Sequence, residues 1–242
     1  MLLSHPVEKE KHLQFQAHPL QYRYERIEDD TMEKLEKPRI QNDLQLVKDA
    51  SSLLEQETYI QAYRFENTLL SMIKQPSLHL DGCYFKDVDF EECVFENIDL
   101  LDVVFENCDI SNCKFYDGAI HRVIFRNCRL MGIDFGGSVI ANVFFDTNNA
   151  RYANFSTAKL KAVNFKETDL TSSSFNQCSF KRTCFDTCNL QEVEFINTPL
   201  AGLHLSTSNI NGICVNVENL KGLCVSSEQA IQLARIMGLI ID

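Results

Sequence analysis

From Leu80 to Val215 every fifth residue is apolar, beginning Leu80, Phe85, Phe90, Phe95, Leu100 and ending Phe195, Leu200, Leu205, Ile210, Val215; all 28 positions keep one phase. In a chain that is 45% hydrophobic, chance would produce such a run with a probability on the order of 10^-10, so the repeat is real. Two residues before each of these centres stands a smaller residue: Cys83, Val88, Cys93, Ile98, Val103, Cys108, Cys113, Gly118, Val123, Cys128 and onward. A helix repeats every 3.6 residues and a strand every 2, so neither sustains a strict period of five. The backbone must turn a corner every five residues. Four corners close a square coil of twenty, with the large and small residues inward and the other three outward. Stacked coils then pair backbone to backbone at about 4.8 Å.

The pattern therefore predicts an all-β, four-sided β-helix of about seven coils, roughly 34 Å long at that spacing. Phenylalanines recur every ten residues and fill two opposite sides. Outward residues twenty apart become stacked neighbours, and the column Lys86, Glu106, Arg126, Asp146, Lys166, Asp186 alternates in sign at every step. Opposite charges across neighbouring strands are worth roughly 0.2 to 1 kcal/mol per pair. A second column, Tyr84, Val104, Ile124 and Phe144, is apolar although it points outward, so this stripe predicts contact, either with the N-terminal segment or with a partner.

Three segments follow. Residues 1–62 form an N-terminal extension, whose first forty residues have the composition of partly disordered chain. Within it Leu44, Val47, Leu53 and Leu54 predict a helix over 42–57, capped by Asn42 or Asp43 and packed on the rod. Residues 63–225 form the β-helix, regular from 80 to 215, with weaker repeats at Tyr63-Arg64-Phe65 and Thr68-Leu69-Leu70 and an interruption at Gln75. Residues 226–242 form a cap. Ser226-Ser227-Glu228-Gln229 has capping-box spacing, and Ile231, Leu233, Ala234, Ile236 and Met237 continue a helix of about ten residues to Gly238. The tail Leu239, Ile240, Ile241 is apolar, so a monomer has to tuck it away or a twofold partner has to bury it.

Cys128-Arg129-Leu130, Ala153-Asn154-Phe155 and Thr168-Asp169-Leu170 resemble the pentapeptide-repeat family, whose motif is a small residue, Asp or Asn, Leu or Phe, then two variable residues. The resemblance implies a right-handed quadrilateral β-helix. Leu220-Lys221-Gly222-Leu223, Ser227-Glu228-Gln229-Ala230, Leu233-Ala234 and Gly238-Leu239 resemble the ending of chromosomal quinolone-resistance members of Gram-positive bacteria, and Gly118 to Phe125 resembles an interior stretch of them. That likeness implies a DNA mimic acting on DNA gyrase, with topoisomerase IV as a second target. The unbroken phase from 80 to 215 leaves no room for projecting loops, which places the chain among the loop-free members.

Charge fits such a partner. The net charge is -11, the wrong sign for direct binding to nucleic acid. Asp81, Asp87, Asp89, Glu91, Glu92, Glu96, Asp99, Asp102, Glu106 and Asp109 face one base, Lys86, within 29 residues, a net of -9. Between 110 and 170, Lys114, Arg122, Arg126, Arg129, Arg151, Lys159, Lys161 and Lys166 outnumber Asp117, Asp134, Asp146, Glu167 and Asp169. The expected partner surface is an acidic face of Asp87, Asp89, Glu91, Glu92, Glu96, Asp99, Asp102, Glu106 and Asp109, able to enter a basic DNA-binding groove. The alternative is a structural interaction module with an unrelated partner. Homodimerisation is expected through Ile231, Leu233, Ile236, Met237, Leu239, Ile240 and Ile241.

Catalysis finds no support. Seven of the ten cysteines, Cys83, Cys93, Cys108, Cys113, Cys128, Cys178 and Cys188, hold the small inward position, where Cys acts as a compact hydrophobe. Cys184 and Cys214 are the thiols expected to be exposed. No zinc spacing, nucleophile elbow or phosphate loop occurs. The expectation is a non-enzymatic protein with no metal, cofactor or small-molecule substrate. The chain shows no signal-peptide pattern and no membrane-length apolar run, so a cytoplasmic location with reduced thiols is expected.

Overall fold

A computed structural model describes residues 35–241. The chain is a right-handed, four-sided parallel β-helix of about nine turns. Its principal strands are β1 (Gln45–Leu46), β2 (Tyr59–Gln61), β3 (Tyr63–Ser71), β4 (His79–Asp81), β5 (Tyr84–Glu91), β6 (Asp99–Glu106), β7 (Ala119–Arg126), β8 (Val139–Asp146), β9 (Lys159–Lys166), β10 (Ser179–Asp186), β11 (Glu194–Phe195) and β12 (Cys214–Val215). From β3 onward the register is twenty throughout: Phe65 pairs Phe85, Phe105 pairs Phe125, and Phe165 pairs Phe185. The core is a column of phenylalanines in which Phe85, Phe105, Phe125, Phe145 and Phe165 stack nearly parallel, centroids 4.6–5.0 Å apart. Rings of the opposite side meet them edge-on, as Phe155 meets Phe165 at 90°. Both arrangements are favoured aromatic geometries.

The charged column also stands in register and gains a member, since Glu66 pairs Lys86. Within it the Arg126 Nε donates to Asp146 at 3.2 Å.

Nine turns rather than seven reflect coils that are complete where the sequence pattern is weak. Ile60, Phe65 and Leu70 are buried centres, and the ladder begins at β2 pairing β4. Gln75 does not break this first coil. Among the described residues no coil lies beneath it, and its Nε2 donates instead to the carbonyls of Glu55 and Glu57 at 3.5 and 3.2 Å. A polar centre is favourable there because the end of a helix presents unpaired carbonyls.

That helix runs over Ala50–Gln56, capped by Asp49, not over 42–57 from Asn42 or Asp43. Residues 45–46 extend instead as β1, which pairs Tyr63 and Arg64 and occupies the open edge of the ladder. Ala50 and Leu54 then close the apolar end of the rod. Edge pairing satisfies backbone groups that a longer helix would have left exposed on β3. At the other end a helix spans Ser227–Ile236 with a complete capping box between Ser226 and Gln229. Gly238, at φ +82, ends it: the Gly238 and Leu239 N–H groups donate back to Arg235 and Ala234 at 3.0 and 3.1 Å, the pairing of a Schellman motif. Of the forty residues expected to be partly disordered, 1–34 lie outside the described ones, and 35–40 pack against the rod.

Candidate interaction surfaces

The apolar column becomes a groove with an occupant. Tyr84, Val104, Ile124 and Phe144 are each 3% exposed or less, and Leu35, Ile40 and Leu44 pack against them. The N-terminal strap thus crosses the stacked coils along their axis. Polar contacts fix its height: the Glu36 N–H donates to Asn142 Oδ1 at 3.5 Å and the Arg39 N–H to Asp102 Oδ1 at 2.9 Å. Beneath it Arg122 forms a two-pronged pair with Asp102, 2.6 Å on each arm, and Glu36 approaches the same guanidinium at 3.8 Å. Tyr84 donates its hydroxyl to Glu106 at 2.7 Å. Burial raises the Asp102 carboxyl, but the Arg122 hydrogen bond and the Arg39 N–H outweigh it and leave the pKa below the ordinary value. His121, beside Asn142, is held below its usual range by burial and by Arg122.

This arrangement corrects the acidic face. Asp102 and Glu106 are both 6% exposed and serve the groove, so neither can meet a partner. The outward signal of an Asp or Glu in the sequence did not reveal that the strap would lie over it. Asp87, Asp89, Glu91, Glu92 and Glu96 are exposed, and Asp99 and Asp109 are half-buried. They do not share one face. A coil turns a corner every five residues, so this run wraps the rod as a collar: Asp87, Asp89, Glu91 and Asp109 about the side of Phe90, Glu92 and Glu96 toward the side of Phe95, and Asp99 at the start of the side of Leu100. Asp89 is bridged in register to Asp109, a like-charge neighbour that costs stability. Relief is partial: Lys86 lies 4.0 Å from Asp87, Arg129 lies 3.5 Å from Asp109, and His79 Nδ1 lies 2.7 Å from Asp99.

The C-terminal residues divide. Leu233 is buried and plugs the rod, while the Gln229 amide donates to the carbonyls of Leu205 and Ser208 at 2.8 and 2.7 Å. Ile231, Ile236, Met237, Leu239, Ile240 and Ile241 are exposed, Ile240 by 93%. Beside them is a hollow of about 270 Å³ lined by Ile210, Ile213, Leu233 and Ile236.

The seven inward cysteines are buried, Cys184 is half-buried, and Cys214 and Cys224 are exposed; Cys184 is therefore less open than its outward position implied, and Cys224 more so. Among the described residues no group of three or more His, Cys, Asp or Glu converges in a metal-holding arrangement. No described helix is long and apolar enough to cross a membrane.

A family model for the pentapeptide repeat region matches residues 98–175, and one for the SV2A/B/C luminal domain matches residues 55–135. No curated protein matches the sequence. Among solved structures, a trypsin-treated form of QnrB1, a plasmid-mediated fluoroquinolone resistance protein, is similar at 19% identity, covering 77% of this chain and 94% of its own, with a TM-score of 0.46. HetL, a pentapeptide repeat protein involved in heterocyst differentiation regulation from a Nostoc cyanobacterium, is similar at 11% identity, covering 69% of this chain and 86% of its own, with a TM-score of 0.37.

Proposed function

We propose that this chain, which matches the pentapeptide repeat region over residues 98–175, is a non-enzymatic DNA mimic that binds a type II topoisomerase, DNA gyrase first and topoisomerase IV second. The observation that carries the reading is the acidic collar. Asp89 and Asp109 stacked in register, with Asp87, Glu91, Glu92 and Glu96 exposed around them, hold like charges together at a cost to stability. A basic groove that normally grips phosphates recovers that cost, because field complementarity favours approach and docking. The choice of topoisomerase among basic-groove proteins rests on the C-terminal motif resemblance. Two rods joined through Ile236, Met237, Leu239, Ile240 and Ile241 would present two collars, one at each end of a twofold assembly.

The test is gyrase supercoiling with the purified protein titrated in, with and without a fluoroquinolone. Restored supercoiling in the presence of drug supports protection, and inhibition without drug supports mimicry alone. A quadruple variant, Asp89→Asn, Glu91→Gln, Glu92→Gln and Glu96→Gln, should lose either effect while keeping its circular dichroism spectrum. No effect of the native protein in either arm removes gyrase as the partner and leaves an interaction module with another target.

A further inference from the structure

One side of the rod carries opposite charges toward its two ends. Its outward residues stand in two columns held in register from coil to coil. One column runs Asp99, Ala119, Val139, Lys159. The other runs Asp81, Leu101, His121, Ala141, Lys161, Lys181. Asp81 and Asp99 hold the lower rungs and are half-buried, whereas the three lysines hold the upper rungs and are exposed. Small or weakly polar residues separate them, and Val139 among these is 50% exposed. On this side residues 136–144, 156–164, 176–184 and 196–204 contain no Asp or Glu, and Lys161 is stacked on Lys181. Like charges in register are destabilising, so the lysines call for a counter-charge that their own coils lack.

Reversed, the order of chemistry along each column is its own complement. A second rod can lie antiparallel and face to face, related by a twofold axis along the strands between the rungs of Ala119 and Val139. That rotation keeps every residue in its column and inverts the rungs. Asp99 then meets Lys159 of the second copy, Asp81 meets its Lys181, and each pair occurs twice. Ala119 meets Val139 and His121 meets Ala141 at the centre, and the stem of Lys161 crosses Leu101. Asp81 already accepts from Gln61 at 2.9 Å, and Asp99 lies 2.7 Å from His79 Nδ1, but a carboxylate has lone pairs for a further donor. The register is specific as well. A slip of one rung either way sets Lys159 against His79 or Ala119 and loses every pair.

We propose that this side is an interface between two antiparallel copies of the chain, closed by Asp99 to Lys159 and Asp81 to Lys181 in both directions. It is a different surface from the exposed tail at the end of the rod. It also leaves Asp89, Glu91 and Glu92, which stand on other sides, open to whatever partner the collar binds. Two columns make a narrow strip at the small end of specific interfaces, so the association is reversible and weakens as salt screens its charges.

A zero-length carbodiimide, which joins a carboxylate to an amine in contact, tests the contact at low ionic strength on the full chain in an equal mixture of light and heavy isotope. Links between light and heavy chains from Asp99 to Lys159 and from Asp81 to Lys181 are expected. Within one rod these pairs are three and five rungs apart, about 14 and 24 Å at about 4.8 Å a rung, beyond the reagent. Lys114 and Asp134, 3.8 Å apart, supply the positive control. Formation of the control link alone overturns the proposal, as do links from Lys159 and Lys181 to other carboxylates of a second copy. Sedimentation gives a second measurement, made with Ile240→Asp throughout to remove the tail. Lys159→Glu with Lys181→Glu makes the side wholly acidic, and Asp81→Lys with Asp99→Lys makes it wholly basic in its charged residues. Each variant alone should sediment as a monomer and their equal mixture as a dimer, with circular dichroism unchanged. No gain in mass on mixing overturns the interface.

Discussion

At the residue scale the small inward position does more than fill space. Its side chain donates to the carbonyl 23 residues earlier: Cys83 to Ile60 at 3.5 Å, Ser138 to Phe115 at 3.0 Å, Asn148 to Phe125 at 3.0 Å and Thr168 to Phe145 at 3.3 Å. Cys, Ser, Thr and Asn therefore share a position with Val because each satisfies a buried carbonyl. Burial pushes the Cys83 thiol up to about 11, and those of Cys178 and Cys188 up to about 12, from an ordinary 9.0. A raised pKa in the folded state means that the stabilisation is complete below the unfolded value and is lost as pH rises through the folded one. The denaturation midpoint should accordingly stay level to about pH 9 and fall from there toward pH 12. Denaturant titrations between pH 7 and 11 check this, and a flat profile would contradict it. In the native state Cys214 and Cys224 should react at once with a thiol reagent, Cys184 slowly, and the seven buried cysteines only on unfolding.

The corner residue carries a backbone requirement of its own. Two positions after each centre the backbone is left-handed, from Asn67 at φ 49 through Asp87, Asn97 and Asn112 to Asn197 at φ 56, with Gly82, Gly132 and Gly137 among them. Asn, Asp and Gly tolerate that region best. Their recurrence at this phase was readable in the sequence, and it explains part of the chain's acidity as backbone chemistry rather than partner binding.

At the scale of elements the strap lies over one buried ion pair of the rod, to which Arg39 and Glu36 are joined. Arg122 and Asp102 are 11% and 8% exposed at their side chains, and removing one partner of a buried pair costs about 3–5 kcal/mol. Arg122→Ala should loosen the strap more than it alters the coil. Trypsin cleavage after Arg39 should accelerate sharply while the strand signal in circular dichroism persists; unchanged cleavage would show that the apolar contacts of Leu35, Ile40 and Leu44 suffice. Acid should act in the same sense. The Asp102 pKa is lowered on folding, so its contribution is present above the ordinary carboxylate range and disappears as pH falls through the depressed value.

At the scale of the whole molecule the rod is nearly one-dimensional, since each coil touches only its neighbours, and its stability is close to a sum of coil and interface terms. Removing residues 186–205, one full coil, should preserve the fold and a cooperative melt with a Tm lower by only a few degrees. Removing residues 186–188 alone puts outward polar residues into inward positions above the break and should abolish the cooperative transition. Thermal melts of both variants decide the point. The exposed tail gives a further expectation: Ile240→Asp should shift sedimentation toward the monomer without changing the Tm of the rod, because Ile240 touches solvent and not the core.

The sequence by itself determined the coil. A period of five with two inward residues admits one way of burying the chain, so the twenty-residue register, the phenylalanine column and the C-terminal cap followed from local pattern alone. It also marked Tyr84, Val104, Ile124 and Phe144 as a stripe in need of cover. Only the tertiary structure decided what the outward residues do. Asp102 carries the same local signature as Asp87, and Glu106 the same as Glu91, yet Asp102 and Glu106 are buried, because a strap some sixty residues distant in sequence crosses their rung. Gln75 likewise looked like an interruption until helix carbonyls appeared beneath it. Inward positions are fixed by their neighbours in the repeat, whereas outward positions are fixed by whatever lies against them, and that contact has no period.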